Sequence, residues 1–343
     1  MSAPIVRFEH IRFAYQLDPI LDDFNWQWPQ RQHIAILGGN GAGKTTLAKL
    51  ITDTLRPNSG EVHYTDSIGP ADIAYISFDL QRELMERDSR FDDSETREDA
   101  FDVGTTVKNI VLQGQPATAE FEHLCSRLGI GHILDQGIRY ISTGESRKAL
   151  LARALFAKPA ALILDNPFEG LDVKAQAEMH SLLAELVGSS TPLVLLTKDA
   201  NDIPDAIDTV FNMAHGKILG ECSAAEAKRQ AKTVHHYAKP LPIAEAPAHP
   251  ADTALLELRD ISVNFRGKQV LSDINWTLMP HQHCCISGPN GAGKSTLLGL
   301  LCGENDKAYG QQVFLFGRRR GSGESIWEVK SQFGLLNASM QMS

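Results

Sequence analysis

The segment IRFAYQLDPILDDFNWQWPQRQHIAILGGNGAGKTTL, beginning at Ile11, lies without a gap over ISVNFRGKQVLSDINWTLMPHQHCCISGPNGAGKSTL, beginning at Ile261. Ile11 falls on Ile261, Leu21 on Leu271, Trp26 on Trp276, His33 on His283 and Lys44 on Lys294. A repeat of this length means two copies of one domain, and any fold proposed for the chain has to accommodate it twice. Both copies carry the pattern G-x-x-x-x-G-K-[ST], as GGNGAGKT and GPNGAGKS. In each, a short apolar run leads into the glycines and a helical pattern follows, so strand, loop and helix are expected in both.

That succession is a phosphate cradle. Small residues let the backbone wrap an anion, and the N–H groups opening the helix face it. In the first copy the loop is Gly38, Gly39, Asn40, Gly41, Ala42 and Gly43, followed by Lys44, Thr45 and Thr46. In the second it is Gly288, Pro289, Asn290, Gly291, Ala292 and Gly293, followed by Lys294, Ser295 and Thr296. Lys44 and Lys294 are expected on the β and γ phosphates, and the hydroxyls of Thr45 and Ser295 on magnesium. Downstream, ALILD is an apolar strand ending in an acid. Asp165 is therefore the candidate to hold Mg2+ through water; the plainer reading is a buried strand stopped by a turn acid. A nucleotide and Mg2+ are the expected ligands.

The 343 residues suit about two domains, at roughly 150 residues each. We expect a first domain over 1–230, a Pro/Ala-rich linker over 231–253 and the N-terminal part of a second domain over 254–343. The second copy ends before it can hold equivalents of residues 142 to 172, which reads as a fragment of a longer parent. Residues 82–102, RELMERDSRFDDSETREDAFD, mix carboxylates and arginines and read as a solvated acidic insertion. A net charge of −9 gives no broad attraction to nucleic acid. No run of about 18 apolar residues suggests a membrane span, and the N-terminus alternates like a strand; a cytoplasmic protein, peripheral at most to the inner membrane, is expected. The five cysteines form no C-x-x-C pair and read as free thiols. His235 and His236 read as solvated linker residues and Arg318, Arg319 and Arg320 as an exposed surface turn.

Residues 140–172, YISTGESRKALLARALFAKPAALILDNPFEGLD, resemble the signature segment, Walker B strand and D-loop of the ATP-binding cassette (ABC) family. Within it the tandem arrangement, the variant signature and FGRRRGSGESIW resemble the soluble tandem-cassette proteins of the molybdate transport group. The resemblance implies an α/β P-loop NTPase fold with the ABC ATPase domain repeated twice, the second copy truncated, and a helical signature region over about 105–158. Ser142, Thr143, Gly144 and Glu145 stand at the signature and Asp172 at the D-loop. Tyr15 and Phe265 stand where the family stacks an aromatic on adenine, and Gln81 is the nearest candidate for the metal-contacting Q-loop glutamine, although the usual frame falls on Phe78. Two such domains sandwich two ATPs head to tail in this family, each site joining one phosphate loop to the opposite signature. The partners implied are a membrane permease or other transport component, and a dimer in which chains complete each other's sites. The alternative is a cytosolic switch acting on ribosomes or nucleic acid.

Two positions depart from the family pattern. Asn166 stands in place of the catalytic glutamate, and Lys198 in place of the switch histidine. An amide can orient a water but cannot take its proton, and a missing general base costs about 3 to 5 kcal/mol of barrier. The first site is thus expected to hold ATP and hydrolyse it poorly.

Overall fold

The structure, a computed structural model, describes residues 4–30, 32–65, 67–77, 82–84, 86–88, 103–207, 209–233, 253–265, 268–302 and 310–334. The chain forms two compact units, Met1–His236 and Tyr237–Ser343.

In the first unit β1 (Val6–Phe13), β2 (Leu21–Trp28), β3 (Ile34–Leu37), α1 (Lys44–Ile51), β4 (Ser59–Tyr64) and β5 (Ile73–Ile76) come first. Then follow α2 (Val107–Leu112), α3 (Ala119–Arg127), α4 (Thr143–Phe156), β6 (Ala161–Asp165), α5 (Val173–Val187), β7 (Leu193–Thr197), β8 (Thr209–Ala214), β9 (Lys217–Cys222) and α6 (Ala224–Thr233). A small antiparallel sheet has the order β2-β1-β4, and the central sheet has the order β5-β6-β7-β3-β8-β9. Only the last pair of the central sheet, β8 and β9, is antiparallel.

The apolar strands read as unbroken hydrophobic runs because both faces of the central sheet are covered. Their side chains divide with period two. Leu162 and Leu164 of β6 and Leu193 and Leu195 of β7 enter the core shared with α2 to α5. Ala161, Ile163, Val194 and Leu196, with Ile34 and Ile36 of β3, enter the core shared with α1 and the small sheet. A one-residue slip would send each of these two sets of side chains into the other core.

Parallel strands bring their C-terminal ends to one edge, where a doubly covered sheet binds its ligand. Leu37 pairs with Thr197, and Asp165 with Leu196. The loops after β3, β6 and β7 therefore leave side by side.

The antiparallel sheet of the second unit repeats that of the first in detail. Phe8 faces Trp26 across β1 and β2; Leu258 faces Trp276 across β10 (Leu256–Phe265) and β11 (Lys268–Leu278). The irregular strand positions also coincide: His10 and Asp260 both have φ of 51°, and Asp23 and Asp273 have 50° and 49°. His10 N donates to Asn25 Oδ1 at 2.9 Å and Asp260 N to Asn275 Oδ1 at 3.0 Å. The helix α7 (Lys294–Cys302) follows the second loop, and β12 (Gln312–Leu315), β13 (Arg318–Arg319) and α8 (Ile326–Lys330) complete the described part.

Two sequence expectations are corrected here. The run before the second phosphate loop is not a strand: residues 282–289 have no regular structure, and Cys284 and Cys285 are exposed where Ile34 and Ala35 are fully buried. β3 is held by β7 on one side and β8 on the other, and the described residues of the second unit contain no counterpart of either. Arg320 is not on the surface; it is buried, with Nη1 3.5 Å from Glu324 Oε1, while Arg318 and Arg319 are exposed as expected.

Candidate functional site

The glycine-rich loop owes its path to its neighbours. Gly38 N donates to Thr197 O at 3.1 Å, and a Cβ on Gly38 would lie 2.3 Å from Met213 O of β8. No side chain fits there. Gly41 and Gly43 have φ of 77° and 102°, the left-handed region that glycine enters freely. The turn passes directly into α1 at Lys44, whose first N–H groups lack helical partners and point at the loop's concavity.

Lys44 is 5% exposed, and its Nζ donates to Gly38 O at 2.7 Å and Gly39 O at 3.0 Å. Burial lowers its pKa; Asp165 opposes that shift, Lys198 adds to it, and Glu169 opposes it. The second unit repeats the hook, with Lys294 Nζ donating to Gly288 O at 2.8 Å and Pro289 O at 2.7 Å.

Asp165 closes β6 and is 5% exposed. Its Oδ2 accepts from Thr45 Oγ1 at 2.6 Å and from Tyr75 OH at 3.0 Å, and its Oδ1 accepts from Asn166 Nδ2 at 2.8 Å. A carboxylate and a hydroxyl in contact beside a helix N-terminus form an all-oxygen set that suits a small hard cation such as magnesium. Among the described residues no group of three His, Cys, Asp or Glu assembles into a separate metal site.

Asn166 has φ of 47°, a left-handed conformation that asparagine tolerates better than most residues. Its N–H donates to Leu196 O at 2.9 Å. Lys198 follows β7 and pairs with Glu169, Nζ to Oε1 3.3 Å, both about half exposed. Beneath them lies Arg147 of α4, 3% exposed, whose Nη1 and Nη2 donate to Asn166 O at 3.3 Å and Glu169 O at 2.8 Å. Burial pushes Arg147 down to about 10, against the pull of Glu169 and Asp165.

The signature residues stand at the start of α4. Ser142 is the N-cap, accepting from Glu145 N at 3.3 Å, while Glu145 Oε2 accepts from Ser142 N at 2.8 Å and Ser142 Oγ at 2.7 Å. This reciprocal box satisfies two orphan N–H groups of the helix. Burial raises the Glu145 pKa, but the Ser142 hydrogen bonds and His132, 3.3 Å away, outweigh it and leave the carboxyl below its usual value. Thr143 is the first helical residue, and Gly144 packs so closely on α5 that a Cβ would lie 3.0 Å from Ala175 Cβ. Asp172 caps α5, accepting from Ala175 N at 2.9 Å.

Tyr15 is 58% exposed and stands edge-on to Phe13 at 5.0 Å between ring centroids. Phe265 ends β10. Gln81 and Phe78 lie outside the described residues, as do His235 and His236. The acidic insertion is described only at its start, and there it is not simply solvated: buried Asp88 pairs with Arg139 at 2.8 Å and accepts from Thr105 N at 2.7 Å.

The structure thus brings Lys44, Thr45, Asp165 and Asn166 together at one sheet edge, with Lys198 beside Glu169. Sequence reasoning missed Tyr75, Arg147 and Glu169. Tyr75 is the one polar tip in the strand IAYI, and Arg147 shares a helix face with buried Leu150 and Leu151, so a charge amid an apolar stripe was the available signal.

A family described as ABC transporter matches residues 21–169 and 271–342. The chain is 34% identical over 320 residues, 90% of its own length, to the ABC transporter ATP-binding protein ModF of Escherichia coli, and spans 64% of that protein. It is 26% identical over 356 residues to an uncharacterized ABC transporter ATP-binding protein of Schizosaccharomyces pombe, covering 97% of this chain and 71% of the other. A crystal structure of a nucleotide-free ATP-binding cassette from an ABC transporter superimposes with a TM-score of 0.54 at 20% identity, covering 68% of this chain and 96% of the other, a likeness of fold. Fold, repeated phosphate loop and these matches agree, and the chain belongs to the ABC transporter family.

Proposed function

We propose that this chain binds ATP with magnesium at the phosphate loop of each unit, and that its first site hydrolyses ATP slowly and serves as a long-lived clamp in a tandem-cassette ATPase. The observation that carries the reading is the convergence of Lys44, Thr45 and Asp165 on one sheet edge with an amide, Asn166, next to them in place of a base. Lys44 and the N–H groups opening α1 would hold the β and γ phosphates. Thr45 and Asp165 would hold magnesium, which when bound neutralises phosphate charge. Asn166 can orient a water at the γ-phosphate but, being an amide, cannot take up its proton, and Lys198 can reach toward the same phosphate.

The signature residues Ser142 and Gly144, at the N-terminus of α4, would present backbone N–H groups to a nucleotide phosphate, because a helix N-terminus favours an anion. Tyr15 and Phe265 would stack on adenine. A link to molybdate transport, with a membrane permease as the partner and the cytoplasmic side of the membrane as the location, draws its support from a molybdenum import ATP-binding protein ModC of Brucella abortus, to which the chain is 29% identical over 199 residues. Among the described residues no helix is long and apolar enough to cross a membrane. The test is single-turnover hydrolysis in the full-length protein with Lys294→Ala. ATP retained unhydrolysed at the first site supports the proposal, and rapid conversion to ADP removes it.

A further inference from the structure

Lys198 and Glu169 form an ion pair beside the Lys44 site, Nζ to Oε1 3.3 Å, on side chains that are 49% and 46% exposed. Their backbones, by contrast, are pinned. β7 ends at Thr197, whose O accepts from Gly38 N at 3.1 Å and whose Oγ1 donates to Asp202 Oδ2 at 2.6 Å. Lys198 therefore leaves the sheet next to the first residue of the phosphate loop. Glu169 closes a turn on Asn166, its N donating to Asn166 O at 3.1 Å, and its own O accepts from Arg147 Nη2 at 2.8 Å. Phe168, buried, anchors the same turn. What is left to move is the side chains, above all the flexible four-carbon stem of the lysine with its compact ammonium.

Both charges are felt at the phosphate loop. Burial is the first cause that lowers the Lys44 pKa, Asp165 opposes it, and then Lys198 adds to the shift while Glu169 opposes it. The pair thus lies within electrostatic reach of the ammonium expected on the β and γ phosphates. A terminal phosphate held there attracts Lys198, and the Glu169 carboxylate competes with it for the same ammonium. A diphosphate, one phosphate shorter, leaves the ion pair as it stands. A triphosphate has to draw the lysine away from its partner.

We propose that Glu169 is a specificity-determining residue of the Lys44 site: by holding Lys198, it lowers the preference of that site for a nucleoside triphosphate over the diphosphate. The inference rests on the reading of the first phosphate loop as an ATP site, and it uses residues of the first unit alone. An exposed ion pair contributes modestly, so the preference it withholds is about 2- to 5-fold. A carboxylate that acted on the phosphate only through its own field would act without Lys198, and more strongly once the neutralising ammonium was gone. One that acts by holding the ammonium needs the ammonium to be there.

The experiment is an equilibrium titration of the full-length protein carrying Lys294→Ala, with magnesium and either ADP or the non-hydrolysable β,γ-imido analogue of ATP, read as the ratio of the two affinities. Glu169→Gln is expected to raise the triphosphate preference about 2- to 5-fold. In a Lys198→Met background the same substitution is expected to raise it by less. No rise in Glu169→Gln overturns the inference, and so does a rise that is as large or larger in Lys198→Met. Binding that survives Lys44→Ala removes the ATP-site reading and the inference together, whereas Lys44-dependent binding with an unchanged ratio removes the inference alone. The analogue is not cleaved, so rapid hydrolysis of ATP at this site defeats the clamp and leaves the Glu169 readout standing.

Discussion

Thr45 Oγ1 donates to Asp165 Oδ2 at 2.6 Å although the two residues are 120 positions apart. Neither residue is positioned by its own segment. Thr45 is placed by a glycine turn that only β7 and β8 can shape, and Asp165 by a strand whose side chains feed both cores. The contact is the point where the sheet topology becomes chemistry.

If this contact is the metal end of the site, Asp165→Ala abolishes the magnesium dependence of ATP binding. Tyr75→Phe, which removes one hydrogen bond of about 1 kcal/mol, raises the magnesium requirement up to about fivefold. Titration of fluorescent ATP with and without magnesium measures both. Undiminished magnesium dependence in Asp165→Ala rules the assignment out.

Asn166→Glu restores a carboxylate at the position of the missing base. Its gain is expected at the low end of the roughly 10²- to 10⁴-fold range for a general base, because glutamate sits less comfortably than asparagine at φ 47°. Single-turnover rates with Lys294→Ala compare the two. A rate no higher than native contradicts the role assigned to the missing base.

The two adjacent glycines of the loop differ sharply. Gly38→Ala drives a Cβ to 2.3 Å from Met213 O and is expected to destabilise by about 1–3 kcal/mol and to impair nucleotide binding. Gly39→Ala meets nothing within 4 Å and is expected to change stability by under about 0.5 kcal/mol. Thermal melting of the pair decides; equal losses contradict the packing described here.

How much of this was legible beforehand depends on whether the determinant was local. The phosphate loop, the strand ALILD and the capped signature helix were readable because glycine spacing, apolar runs and an S-x-x-E box act within a few residues. The strand expected before the second phosphate loop was not, because the same frame that forms β3 needs β7 and β8 beside it, and the cysteines there are exposed without them. Arg320 looked like a surface charge because its partner Glu324 and the hairpin burying it are set by the fold of the turn. Tyr75, Arg147 and Glu169 escaped for the same reason: each matters through a contact with a distant strand or helix.

His33, at the entry to β3, has its pKa lowered by burial, partly offset by a backbone hydrogen bond with Ser189, and among the described residues its buried Nδ1 has no hydrogen-bond partner. The folded protein therefore binds this proton less readily than the unfolded chain. Stability is unaffected above pH 6.5 and declines as pH falls below it, until the folded imidazole also titrates. His33→Gln is expected to flatten the fall of the melting temperature on acidification. Parallel curves for the two proteins exclude the role.

The most direct test of the account is the identity of the nucleotide at the Lys44 site. The full-length protein carrying Lys294→Ala is loaded with labelled ATP and magnesium, stripped of free nucleotide, and its bound label resolved over time. The account predicts that the label persists as ATP far longer than in Asn166→Glu. Conversion to ADP at the same rate in both proteins contradicts it.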